Sequence, residues 1–128
     1  MASYTANYGL HQWEAADDFL RTDFNTDFGI IDTALGEKAE FVTGTYTGDG
    51  EETRGIELGF AARAVILINY FGVASINPST GDQPGGIAIR GGTCHPGLTL
   101  TETGFQVRFD NNYQTNQSGQ LYSWLAVK

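Results

Sequence analysis

Apolar residues change their spacing once along this chain, near Lys38, and the change separates two kinds of structure. Leu20, Phe24, Phe28, Ile31 and Leu35 follow one another at steps of four, four, three and four, the spacing of one face of a helix. A helix over 22–35 is expected, with Thr22 or Asp18 capping its start, Asp23 and Asp27 at its positive end, and Gly36 stopping it. Phe24, Phe28, Ile31 and Leu35 also alternate as the core positions of a coiled coil do. Such a helix is only about 21 Å long, so the seam is marginal by itself. It either packs on its own domain or joins copies of the chain. Residues 1–16 hold Tyr4, Tyr8, His11 and Trp13 without a regular period, and form an arm that can be ordered only by docking on something else.

Beyond Lys38 the period is two. Segments 41–46 and 56–60 flank Gly48-Asp49-Gly50, a hairpin signal because such turns need residues tolerant of positive φ. The run Ala64-Val65-Ile66-Leu67-Ile68, inside a strand expected over 62–71, is apolar on both faces and reads as a central strand. A long loop is expected over 72–86, then short strands over 87–90 and 98–101. From Gly104 onward, Phe105, Val107 and Phe109 point one way and Gln106 and Arg108 the other. A polar loop spans 110–118. The last strand, over 120–128, sets Leu121, Leu125 and Val127 opposite Tyr122, Trp124 and Ala126. Tyr122 and Trp124 are expected in the core or in a subunit interface. The expected fold class is mainly β: an N-terminal arm and short α-helix over 1–38, then an antiparallel β-sandwich of about six or seven strands over 39–128. Seventeen glycines against three prolines agree with a chain of many turns.

Fifteen acidic against seven basic residues give a net charge of −8, which repels a phosphate backbone and argues against nucleic acid as a partner. The most apolar stretch, 61–74, carries Arg63 and Asn69 and is too short to span a bilayer, so no membrane insertion is expected. Met1 to Asn7 has neither the basic nor the apolar region of a signal peptide. Cys94 is the single cysteine, which leaves no internal disulfide.

Cys94 and His95 are neighbours whose side chains point to opposite sides of an extended segment, a poor thiolate and imidazole pair. With His11 they match no metal-ligand spacing, so neither metal nor cofactor is expected. Asp49, Glu51 and Glu52 lack the alternating ligands of a calcium loop and read as a solvated hairpin tip. There is no nucleophile elbow and no phosphate loop, and no pair of carboxylates is singled out for glycoside hydrolysis. No catalytic residue is named. What remains is the 110–118 loop, dense in amides and hydroxyls around one aromatic ring. Those groups hydrogen-bond and stack on sugar rings, and they are also what any solvated loop contains. The candidate ligand-binding residues are Arg108, Asn111, Asn112 and Tyr113, with stacking on Tyr113 and hydrogen bonds from the others.

Asn7-Tyr8-Gly9-Leu10-His11-Gln12-Trp13, Asp18-Phe19-Leu20-Arg21-Thr22-Asp23-Phe24-Asn25 and Ile31-Asp32-Thr33-Ala34-Leu35-Gly36 follow in that order. This opening resembles that of phage and prophage tail proteins, where it precedes a fibre or receptor-binding domain. Further on, Leu58-Gly59-Phe60, Ala64-Val65, Gly104-Phe105-Gln106-Val107 and Tyr122-Ser123-Trp124-Leu125-Ala126 resemble the order of elements in H-type lectin sandwiches. Ala61-Ala62 stands where such domains are expected to carry proline, and no sugar-contacting motif transfers residue by residue. The resemblance implies a homotrimer bundled at the helix through Phe24, Phe28, Ile31 and Leu35. It also implies attachment to other tail proteins through residues 1–36, presentation of the sandwich loops to a bacterial surface glycan, and a place in the virion tail after synthesis in the bacterial cytoplasm. The role so implied is binding and not enzymatic. The alternatives are a structural tail adaptor without a ligand and a glycan-cleaving enzyme.

Overall fold

The computed structural model describes residues 2–70, 72, 86–92 and 95–128. Phe71, Cys94 and positions 73–85 of the loop expected over 72–86 lie outside the described residues. Two compact units divide the chain, Met1–Lys38 and Ala39–Lys128. Among the described residues the protein is mainly β, with one short helix and several antiparallel sheets.

In the first unit, β1 (Ser3–Tyr4) and β2 (His11–Gln12) form a small antiparallel ladder. Its turn is closed by the Gly9 N–H on the Thr5 carbonyl at 3.0 Å and the Thr5 N–H on the Leu10 carbonyl at 2.9 Å. Helix α1 (Arg21–Gly36) follows. It is not capped by Thr22 or Asp18: Leu20 occupies the capping position in an extended conformation with no side-chain cap. Thr22 is already helical, and its carbonyl accepts the Thr26 hydroxyl at 2.9 Å. Asp23 still lies in the first turn, where a carboxylate offsets the dipole. At the other end the N–H groups of Glu37 and Lys38 reach back to the carbonyls of Thr33 and Leu35.

The arm finds its docking surface on this helix. The Asp27 carboxylate accepts the His11 main-chain N–H at 2.9 Å and lies 2.8 Å from ring Nδ1, which compensates a carboxylate only 9% exposed. Trp13 then covers Phe24, stacked at 5.7 Å, and Phe19, tilted at 4.7 Å. Of the four seam residues, Phe24 is therefore packed within its own unit. Phe28, Ile31 and Leu35 stay exposed.

The second unit holds β3 (Phe41–Thr47), β4 (Thr53–Glu57), β5 (Ala64–Asn69), β6 (Ile87–Ile89), β7 (Leu98–Leu100), β8 (Gly104–Arg108) and β9 (Leu121–Val127). They form a four-stranded sheet in the order β3-β9-β5-β6 and a three-stranded sheet in the order β4-β8-β7. The expected hairpin at Gly48-Asp49-Gly50 is absent. β3 pairs with β9 from Phe41 opposite Val127 to Thr47 opposite Leu121, while β4 pairs with β8. The glycines serve a crossover between sheets: Gly50 takes φ +81°, and a Cβ on Gly48 would lie 2.0 Å from the Gln117 carbonyl oxygen. Two alternating strands around a glycine turn look alike in both arrangements, and only long-range pairing tells them apart.

Both sheets feed one cluster. Tyr46, Val65, Leu67, Ala88, Tyr122 and Ala126 come from the four-stranded sheet, and Leu98, Phe105 and Val107 from the other. Trp124 packs against this cluster over Gly44, its direct partner on β3, where an added Cβ would collide with the indole.

Candidate functional site

The polar loop after β8 is built from beneath by two tyrosines. Tyr46 and Tyr122 are direct partners across β3 and β9, buried and stacked at 4.9 Å and 15°. The Tyr46 hydroxyl donates to the Thr115 carbonyl at 2.5 Å. The Tyr122 hydroxyl donates to the Gln114 carbonyl at 2.9 Å and accepts the Gln117 N–H at 3.1 Å. Burial pushes both phenols above their usual range, so they stay protonated donors at physiological pH.

Thr115 and Asn116 are wholly buried in this loop, although the sequence shows them as two more polar residues among many. The Thr115 hydroxyl donates to the Gly97 carbonyl and accepts the Arg108 N–H at 2.9 Å. The Asn116 amide donates to Asp49 Oδ1 at 2.6 Å and to the Glu51 carbonyl at 3.0 Å, which ties the loop to the β3–β4 crossover. No periodicity marks these two positions, because a loop buries whatever its local path turns inward.

On top, Asp110 organises the tip. Its Oδ1 accepts the main-chain N–H of Asn112 at 2.7 Å and of Tyr113 at 2.9 Å, an Asx turn. Arg108 leaves the end of β8 between two carboxylates. Nη2 lies 3.4 Å from Glu52 Oε1, and Nε lies 2.7 Å from Asp110 Oδ2, close but out of line for a hydrogen bond. The guanidinium also sits over the Tyr113 ring at 5.3 Å. His95 meets the same ring edge-on at 5.0 Å and 72°. Of the four candidate residues, Arg108 and Tyr113 are thus brought together. Asn111 and Asn112 are exposed at the tip. Sequence reasoning missed His95 and Glu52, which reach the site from distant segments.

No family model, curated protein or solved structure matches this chain. Among the described residues no helix is long and apolar enough to cross a membrane, and no group of three or more His, Cys, Asp or Glu side chains could hold a metal ion. The chemistry available at the tip is a ring, a guanidinium between carboxylates, and short amides on a hydrogen-bonded frame. That set stacks and hydrogen-bonds.

Asp49 and Asp110 give this frame a pH dependence. The Glu51 N–H, then the Asn116 amide, hold the Asp49 carboxyl below its ordinary value of 3.8. The Asn112 N–H leads the causes at Asp110, where the Tyr113 N–H and Arg108 act in the same direction. Both folded values are depressed, so their contribution is complete at neutral pH and is lost as pH falls from about 4 through the lowered values. The melting temperature is expected to fall on acidification below about pH 4, and to fall less steeply in an Asp49→Asn, Asp110→Asn double variant. Superimposable profiles would rule this origin out.

Proposed function

We propose that this chain is a virion tail component of the fibre or receptor-binding type, in which the two sheets face one another as a β-sandwich whose loops recognise a bacterial surface glycan. It acts by binding and not by turnover. It assembles as a homotrimer, with copies joined along Phe28, Ile31 and Leu35 and attached to other tail proteins through residues 1–36. Support for assembly comes from the exposures of Phe28 and Leu35, 58% and 68%, since an apolar stripe open to water is a site awaiting cover.

The observation that carries the binding role is the frame under Tyr113. A loop whose polar floor is buried and hydrogen-bonded holds Arg108, Tyr113 and His95 in one arrangement, and preorganisation of that kind reduces the entropy lost on binding. Each contact contributes only about 0.5–1.5 kcal/mol, so attachment depends on several copies acting together. Purified protein is expected to bind bacterial cells or their isolated wall glycans, and Asn112→Ala with Tyr113→Ala is expected to abolish that binding while the assembly mass stays the same. The engagement of Arg108 by Glu52 and Asp110 favours a second reading, an adaptor with no ligand. Failure of the parent protein to bind any cell or glycan would select the adaptor, and release of product from the glycans would select an enzyme.

A further inference from the structure

The two sheets of the second unit differ sharply on the sides turned away from the core. On the three-stranded sheet the outward positions include Glu57, Gln106 and Arg108, an ordinary solvated face. The four-stranded sheet turns outward Phe41, Ile66, Ile68, Ile87, Ile89 and Leu121, exposed by 65%, 43%, 38%, 57%, 55% and 43%. Strand registers place these side chains on one surface: Ile66 lies opposite both Ile87 and Leu125, and Ile68 opposite Ser123. A shallow trough floored by β9 runs between Ile66 and Ile68 on one side and Thr43 and Thr45 on the other. Not one outward residue of these four strands is charged, in a chain with 15 acidic and 7 basic residues.

We propose that this face is a second self-association surface, covered by another copy of the same chain. At about 150–250 Å² for a large side chain, the six exposures leave roughly 550 Å² of apolar surface. That reaches the upper end of the largest patch on a typical monomer, about 300–600 Å². With the hydroxyl rows of Thr43, Thr45 and Ser123 beside it, the face approaches the roughly 800 Å² that each partner gives to a standard stable interface. Charge selects the occupant. A nucleic acid or an anionic lipid surface finds no counter-charge on the strands themselves, since Arg63 and Arg90 lie only at the β5–β6 end, with Arg90 already held by Glu102 at 3.0 Å. Two copies of a chain with net charge −8, by contrast, approach more closely across a face free of carboxylates. The ridge of Ile66 and Ile68 in one copy fits the trough of the other, the apolar composition usual where identical chains meet. The inference rests on the proposed self-association only for its choice of partner, and it concerns a surface separate from the helical stripe.

The test uses the full chain. Ile66→Thr with Ile87→Thr keeps β-branched side chains and removes apolar contact, while Phe28→Asp addresses the helix alone. Light scattering over a dilution series is expected to show the threonine pair dissociating at a protein concentration at least about tenfold above that of the parent, with unchanged circular dichroism. Should the threonine pair lose its circular dichroism, Phe41→Ser at the end of the edge strand gives the same readout. An unchanged dissociation point in the sheet variants, with dissociation by Phe28→Asp, would overturn the sheet face and leave the helical assembly standing. A parent that is monomeric at every concentration would overturn both.

Discussion

Phe105→Ala is expected to destabilise the protein by about 3–5 kcal/mol, the range for emptying a fully buried phenylalanine site. Phe105 has no exposed surface and sits mid-sheet on β8, opposite Ile56 on one side and Leu100 on the other. Its ring meets Tyr46 at 6.3 Å and Trp124 edge-on at 5.9 Å, both from the other sheet. It therefore joins the two sheets, and collapse around the cavity is restricted by strands hydrogen-bonded on both sides. Domains of this size hold about 5–15 kcal/mol in all, so the variant loses a large share of its stability. A melting temperature lower by roughly 12–40 °C is expected, at about 4–8 °C for each kcal/mol. Phe105→Leu, which leaves less void, is expected to cost under half as much. Urea titration checks both, and a cost below about 1 kcal/mol for the alanine variant would contradict a single core shared by the sheets.

Asn116→Ala is expected to cost about 2–4 kcal/mol, because it strands partners where water does not replace the lost donor. The amide is wholly buried, donates to the Asp49 carboxylate and the Glu51 carbonyl, and accepts the Asp49 N–H at 3.3 Å. Its removal releases the tie between the 110–118 loop and the β3–β4 crossover, so proteolysis within the loop should quicken and any glycan binding should weaken with it. Asn116→Asp keeps the shape but sets one carboxylate against another. It should be worse than alanine at neutral pH and recover in mild acid, where one of the pair takes up a proton. Denaturation at the two pH values separates lost hydrogen bonds from lost packing, since packing alone would show no such recovery.

The helix was legible because its signal is local. Steps of three and four from Leu20 to Leu35 and a glycine at position 36 need no distant partner to be read, and the helix spans Arg21–Gly36. Most strands after Lys38 were legible for the same reason, as was the interior place of β5, whose Ala64 to Ile68 run is apolar on both faces. The strand expected over 56–60 instead runs as β4 over Thr53–Glu57, where its pairing with Gly104–Arg108 of β8 sets its bounds. The start of the helix was not, since Thr22 and Asp18 are good caps that the chain leaves unused, and the arm enters where Leu20 must stand.

What the sequence by itself determined is the helix and most strands of the second unit, because period and turn chemistry act over a few residues, whereas the short β1–β2 ladder in the arm carries no period to read. Tertiary structure alone decided how the elements pair and what their polar residues do. Gly48-Asp49-Gly50 could close a hairpin or cross between sheets, and the choice belongs to β9, some seventy residues away, whose Tyr122 needs Tyr46 as its neighbour. His11 became a partner of Asp27, and Thr115 and Asn116 became the floor of a loop, because burial of a polar group is stable only where the fold supplies its hydrogen bonds. The outward isoleucines of β5 lie in a run that reads as interior in the sequence, and only the strand registers, with those of β6 beside them, show that they face water. Hydrophobic pattern states that a side chain needs cover, and the three-dimensional pairing of distant strands decides which faces the chain can cover itself.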